Sequence, residues 1–406
     1  MAKNLLSRRE ALSCIGLSCL SSTILVGCGS GSSSNSAPID SQLQTLLAQS
    51  WDSRYSGKSG GLTLIMVSPN GTYFASRIPD TTANAHFRSA SVTKTFTAAG
   101  IMLLDQRGQL GIEDYITDPI RDGINKGNPY LPAGSNFEIP YKRQITIHYL
   151  LEHLAGVFDL ANQVMPTSVQ QPYAGQIYTD WKVDQNTNHT FTKDELIGVL
   201  ASTQVFDAVP GMVYHYSDTH YTILGKVIEV VSGLSLNDFM AQEFLLPNQL
   251  DQTSFIIDGN QQTLPAPYIT GYSLRSTGET VETNYNYSYD QGSGNLVTTP
   301  DNLVRWIRRL LKAQTSVSSG QIARMRTITS PASTYGLGLA HRSGVGFDLG
   351  WGHSGGTGGY LTDAYHDPIT DVSYVLQSSL IDFTDTSGEA DWLAQTAIDA
   401  RKIIGY

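Results

Sequence analysis

Ser91-Val92-Thr93-Lys94 opens a helical stretch just after the strand-like Ala85-His86-Phe87-Arg88. A spacing of three puts hydroxyl and amine on one helical face, with the serine beside the helix N-terminus. This is a nucleophile and base in hydrogen-bond reach: the amine takes the serine proton as the oxygen attacks an acyl carbon, and the Ser91 N–H helps hold the oxyanion. A lysine does this only when neutral, a form that apolar surroundings favour. Val92, Phe96, Ala98 and Ala99 flank Lys94, which is one of only ten lysines in the chain. The string alone is weak, because a capping serine followed by a solvated lysine looks the same.

Two further segments give it company. Tyr216-Ser217-Asp218 follows Pro210-Gly211 and precedes the helical His220 to Val231, and Gly352-His353-Ser354-Gly355-Gly356 lies among the final strands. In this order the three segments resemble the serine β-lactamase and DD-peptidase superfamily, specifically class C β-lactamases, DD-carboxypeptidases and related esterases. That family carries S-x-x-K, then Y-x-N or Y-x-D, then Lys or His followed by Thr, Ser or Gly and a Gly. Flanking segments match as well: Phe87 to Ala90, Leu110 to Asp114, Ile145 to Gly156, Pro210 to Gly233 and Gly294 to Asp301. The resemblance covers nearly all of residues 39 to 406.

The resemblance implies Ser91 as acylated nucleophile, Lys94 as its base and Tyr216 as the group that passes the proton to the leaving group. It implies that Asp218, His353, Ser354 and Gly355 line the substrate and that the N–H groups of Ser91 and Gly356 form the oxyanion hole. Asp218 stands where Asn is commoner, which removes a hydrogen-bond donor. His353 replaces the lysine typical of β-lactamases, so a fixed cation becomes pH-dependent, and kcat/KM is then expected to fall above about pH 7. The implied function is a serine hydrolase forming an acyl-enzyme on Ser91, of D-alanyl-D-alanine carboxypeptidase type on cell-wall peptides. Class C-like β-lactamase and carboxylesterase activities use the same acylation machinery. A non-catalytic envelope module that binds cell-wall peptide or β-lactam is the alternative of another class. The chemistry implies no cofactor and no metal.

Two rival sites are weighed and set aside. Gly352 to Gly356 satisfies G-x-S-x-G with Ser354 as nucleophile, but that elbow needs a following helix, and Gly355, Gly356, Gly358 and Gly359 discourage one. Gly57-Lys58-Ser59-Gly60-Gly61 likewise runs into a strand pattern. His148, Glu152 and His153 suggest zinc. A spacing of five turns the two rings about 140° apart on a helix, as it does for His215 and His220, so all four are structural.

The elements that must position these groups follow from periodicity. Ile39 to Tyr55 is an amphipathic helix with Leu43, Leu46, Leu47 and Trp51 on one face. Gly61 to Ser68, turn Pro69-Asn70-Gly71 and Thr72 to Arg77 form a hairpin. Helical segments run over Ser91 to Arg107, Thr146 to Leu154, Lys193 to Ser202, Asp218 to Val231, Leu236 to Leu245 and Pro300 to Ala313. Tyr335 to His341, Phe347 to His353, Tyr360 to His366 and Val372 to Ser379 alternate as strands, and Asp385 to Ile404 closes as a helix. The fold class expected is α/β (α+β), β-lactamase/transpeptidase-like. An antiparallel sheet lobe (39–115 and 331–406) is flanked by the terminal helices, and a mostly helical lobe (116–330) is inserted between.

The N-terminus reads as an address. Lys3, Arg8 and Arg9 precede an uncharged run from Ala11 to Gly27, the layout of an export signal. Ser7-Arg8-Arg9 resembles a twin-arginine signal without its usual Phe. Leu25-Val26-Gly27-Cys28 looks like a lipobox, with Cys28 the lipidated residue, and residues 29–38 form a Gly/Ser-rich tether. All three cysteines (Cys14, Cys19, Cys28) fall in this segment, so the domain after it is thiol-free and the nucleophile search turns to serine. Beyond residue 27 the chain has 23 basic and 35 acidic residues, a balance of −12, which disfavours nucleic acid as partner. The expected partners are a small-molecule or peptide substrate and, through the lipid anchor, a membrane, at an exported position in the cell envelope.

Overall fold

The computed structural model describes residues 38–330, 333–344 and 346–406. The export segment, Cys28 and the tether up to residue 37 lie outside the described residues.

Helix α1 (Ile39–Tyr55) leads into the hairpin β1 (Leu62–Ser68) and β2 (Gly71–Ser76). After the short β3 (Phe87–Arg88), a 3-10 turn over Ala90–Val92 runs into α2 (Thr93–Gln106). The middle of the chain holds α3 (Ile147–Leu151), α4 (Tyr178–Gln185), α5 (Lys193–Thr203), α6 (Asp218–Ser232) and α7 (Leu236–Met240), the last continuing as a π-helical turn to Leu245. Short strands β4 (Ser254–Phe255), β5 (Tyr272–Arg275), β6 (Gly278–Val281) and β7 (Leu296–Thr298) follow, then α8 (Pro300–Leu311) and α9 (Ser319–Met325). The chain ends with β8 (Ala340–Gly344), β9 (Phe347–Thr357), β10 (Tyr360–Asp367), β11 (Val372–Ser378), β12 (Leu380–Asp382) and α10 (Glu389–Ile403).

The main sheet has the order β2-β1-β11-β10-β9-β8, every neighbour antiparallel. Strand alternation splits its side chains between two cores. Leu62, Leu64 and Met66 of β1 and Val372, Tyr374 and Leu376 of β11 join α1 and α10, while Ile65 and Val375 face the larger core around α2, α6 and α8. The two terminal helices lock together through Trp51, Tyr55 and Trp392, with Tyr55 and Trp392 edge to face at 5.3 Å. Antiparallel sheet, terminal helices and inserted helices are the architecture expected from the sequence. One piece of the middle segment departs from that division: β5 lies parallel beside β12 and joins the sheet side of the molecule.

Helix α2 is buried on every side from Thr93 to Leu104, as befits a helix sandwiched between two layers. Its entry is fixed by a second small sheet in which β3 pairs with β7. Thr93 ties the two together: its hydroxyl donates to Ala90 O at 2.7 Å and accepts from Leu296 N at 3.1 Å. Ala90, just before the nucleophile candidate, has φ 49°, a left-handed conformation that costs a non-glycine residue about 1 kcal/mol or more.

The expected strand Tyr335 to His341 is not formed as such, and β8 begins only at Ala340. The glycines explain it. At Gly338, φ 73°, a Cβ would lie 2.2 Å from the Ala98 Cβ, so the chain presses against α2 instead of extending, and Tyr335 turns inward.

Candidate active site

Ser91 is all but buried, and the Lys94 side chain is fully so. Lys94 Nζ lies 3.0 Å from Ser91 Oγ, 2.9 Å from Ser293 O and 2.5 Å from Asp218 Oδ1. It also sits over two phenol rings, 4.8 Å from the Tyr216 centroid and 5.6 Å from that of Tyr221. The spacing of three on α2 therefore brings hydroxyl and amine together as the sequence suggests. The structure adds what the spacing did not, a carboxylate on the amine.

Tyr216 precedes α6, and its hydroxyl is buried with no hydrogen bond of ordinary geometry among the described residues. Burial first, and the Asp218 charge second, hold this phenol well above its usual pKa, while the nearby Ser91 hydroxyl lowers it. Tyr216 thus stays protonated at neutral pH and serves a reaction by relaying a proton rather than as a standing phenolate.

Asp218 opens α6 in the layer beneath the nucleophile. Its Oδ1 is taken by Lys94 and its Oδ2 by Asn162 Nδ2 at 2.6 Å. The structure thus occupies both oxygens that the sequence assigned to substrate, since a buried ammonium draws its counter-ion. Behind it lies Asp159, whose Oδ2 accepts from Asp218 N at 3.2 Å and from Asn162 Nδ2 at 3.0 Å. Burial, then the Asp218 charge, push Asp159 up to about 7.

His353 corrects a second expectation. Its Nε2 lies 2.9 Å from Tyr335 Oη, and its Nδ1 bonds to Ser354 O. Burial, then the Lys94 charge, push it down to about 3. A neutral ring with both nitrogens engaged is no pH-dependent cation, because desolvation beside a lysine outweighs what the motif position suggests.

Ser354 and Gly355 part ways by strand alternation. Ser354 Oγ faces the other side of β9, bonded to Tyr365 Oη at 2.9 Å and Arg342 Nη1 at 3.1 Å, next to Asp363, which pairs with Arg342. It is neither a substrate group nor the nucleophile of an elbow, and β9 runs on into β10 rather than a helix. Gly355 faces the nucleophile. A Cβ there would lie 2.2 Å from Ser89 O and 3.0 Å from Ser91 N, whereas one on Gly356 meets only Leu361 and Ile381. Gly355 lets β9 close on the Ser91 backbone, and Gly356 follows it in the same strand.

The histidines set aside as structural find partners. His148 pairs with Glu113 and Glu152. His153 and His220, 67 residues apart, meet through their Nδ1 atoms at 3.0 Å. His220 Nε2 accepts from Val157 N, so its Nδ1 carries the proton and His153 accepts it. The His153 ring lies tilted against Tyr216, centroids 4.1 Å apart. Asp159, Asn162, Ser293 and Tyr335 belong to the site without a sequence signal of their own. Each arrives through contacts distant in the chain.

A family model described as Beta-lactamase matches residues 44–396. The chain is 26% identical over 295 residues to penicillin-binding protein 4* of Bacillus subtilis, covering 69% of this chain and 57% of that protein. It is 23% identical over 222 residues to protein flp of Staphylococcus aureus, 55% of this chain and 38% of that one. The chain thus spans about half the length or less of these curated relatives. Among solved structures it is similar to a D-stereospecific amidohydrolase from Streptomyces sp., at TM-score 0.70 and 20% identity over 87% of this chain and 97% of that one. It is also similar to a D-amino acid amidase from Ochrobactrum anthropi, at 0.69 and 19% over 90% and 99%. A penicillin binding protein from Bacillus halodurans matches at 0.65 and 20% over 88% and 98%. At these identities the likeness establishes the fold.

Proposed function

The chain belongs to the beta-lactamase family, and on that premise we propose that it is a serine hydrolase that acylates Ser91 and hydrolyses the acyl-enzyme. The observation that carries this is the 3.0 Å contact between Ser91 Oγ and Lys94 Nζ at the head of a buried helix. Tyr216 relays the proton to the leaving group, and the Ser91 and Gly356 N–H groups hold the oxyanion. The substrate is of the D-alanyl-D-alanine carboxypeptidase kind, a cell-wall peptide hydrolysed by an exported enzyme tethered through Cys28.

A second reading has an observation in its favour. A terminal carboxylate on the leaving group calls for a facing cation, yet His353 is neutral and Lys94 is taken by Asp218. That favours amides or esters whose leaving group is uncharged, in keeping with the names of the D-amino acid amidase and D-stereospecific amidohydrolase of similar fold.

The test is a substrate panel on the fragment from residue 29: D-Ala-D-Ala peptides, D-amino acid amides, nitrocefin and p-nitrophenyl esters. Ser91→Ala is expected to lower turnover by about 10^4 or more. Fast peptide cleavage supports the carboxypeptidase reading, and amide or ester turnover alone supports the second. Binding of labelled penicillin with no Ser91-dependent turnover would instead mark a non-catalytic envelope module.

A further inference from the structure

The three acceptors around Lys94 match the three N–H bonds of an ammonium. In that state the lysine donates to the very hydroxyl it has to deprotonate. One of its protons must leave first, and among Ser91 Oγ, Ser293 O and Asp218 Oδ1 only the carboxylate is a proton acceptor; it is also the shortest contact. We propose that Asp218 is a positioning residue that takes this proton, turning the buried ion pair into a neutral amine beside a carboxylic acid, whereupon Lys94 deprotonates Ser91. The proposal rests on the acyl-enzyme reading above.

The protons balance within the site. One moves from Lys94 Nζ to Asp218 Oδ1. The Ser91 proton then moves to Nζ as the bond from Oγ to the acyl carbon forms. Through Tyr216 that proton passes to the departing nitrogen or oxygen as its bond to the acyl carbon breaks. Water repeats the sequence in deacylation, and Asp218 finally returns its proton to Lys94. In a low-dielectric interior the neutral pair sheds the desolvation cost that the ion pair bears.

The surroundings set the pH response. Asp218 faces Lys94 on α2, Asp159 and Asn162 from the loop after α3, Tyr216 from its own segment, His353, and Asp290, which lines the same small cavity, while Tyr221 and His153 face the Lys94 side of the pair. The tyrosines are pushed up and the histidines down by burial, so neither kind changes charge near neutrality. Asp159 does, at about 7. Since the proton moves within the site and is not drawn from solvent, wild-type kcat/KM should change by no more than a few-fold from pH 5.5 to 8.5.

The experiment follows p-nitrophenyl butyrate hydrolysis from pH 5.5 to 8.5 in wild type and Asp218→Asn, with Ser91→Ala as control. The amide keeps the shape but cannot take the proton, so Lys94 must lose it to solvent. The variant should fall about tenfold below wild type at pH 6 and climb with pH, levelling off once Lys94, which burial without a counter-ion drives toward the neutral form, has lost its proton. A variant parallel to wild type, or folded by circular dichroism yet inactive at every pH, overturns the proposal. So does a wild type that itself climbs tenfold per unit, and this measurement decides alone if the variant does not fold. Turnover abolished by Ser91→Ala but indifferent to Asp218→Asn defeats only the relay. Turnover indifferent to Ser91→Ala defeats the acyl-enzyme reading, and the relay with it.

Discussion

His353 shows how far a motif carries at the residue scale. Its position beside the nucleophile follows from the order of three short strings, but its charge follows from Tyr335, Lys94 and burial, none of which the string contains. With a pKa near 3 it is neutral from pH 5 to 9. Wild type and His353→Gln should therefore share one shape of kcat/KM profile across that range, and a limb near pH 7 present only in wild type would restore the cation. Tyr335→Phe removes the partner of a buried nitrogen and should cost about 1–3 kcal/mol of stability, measured by urea unfolding. Ser91 and Lys94 were legible because they stand three apart on one helix, and Tyr216, 122 residues further on, through the resemblance of its motif. Asp159 was not, because it meets Asp218 across 59 residues of chain.

Elements were legible where a period had room to repeat. Helix α1 falls where its apolar spacing places it, and α5 and α8 start at capping threonines, Thr192 and Thr299. The two-residue strand β4 is too short for any period, whereas β3 forms within the strand-like Ala85 to Arg88 and aims the turn before Ser91. The missing strand at Tyr335 has a comparable cause, because a glycine's freedom to pack against α2 is invisible in an alternating pattern. Close backbone approach also yields the sharpest test of how β9 meets α2. In Gly355→Ala the new methyl cannot coexist with Ser89 O at 2.2 Å, so strand and nucleophile turn must separate. Loss of one aligned oxyanion donor predicts a fall of about 10^2 to 10^3 in kcat. Gly356→Ala, whose methyl meets only flexible side chains, should fall far less, and equal losses in both would refute the geometric argument.

For the whole molecule, burial of titratable groups makes stability depend on pH in a calculable direction. His153, His220, His353 and His366 all have folded pKa values held below 6.5 by burial, the last two at about 3 and 4. Each is neutral when folded and takes up a proton on unfolding below 6.5, so each contributes stability that is present above 6.5 and lost as pH falls. Asp159 and Glu389 oppose this. Their folded values of about 7 mean that they release protons on unfolding between about 4.5 and 7, which costs stability as pH rises through that window. Of these six groups, near pH 5.5 four take up a proton against two that release one, so stability should climb with pH by up to roughly 3 kcal/mol per unit and peak near 6.5 to 7, the climb being shallower where Asp363, which burial also raises, joins the releasing groups. Urea midpoints from pH 4.5 to 7.5 check this, and a flat curve down to pH 4.5 would contradict it. His366 offers the cleanest control, since its Nδ1 bonds Ser373 Oγ at 2.9 Å inside the main sheet, away from the nucleophile. His366→Gln removes one of the two net protons and should roughly halve the slope while leaving the kcat/KM profile in place.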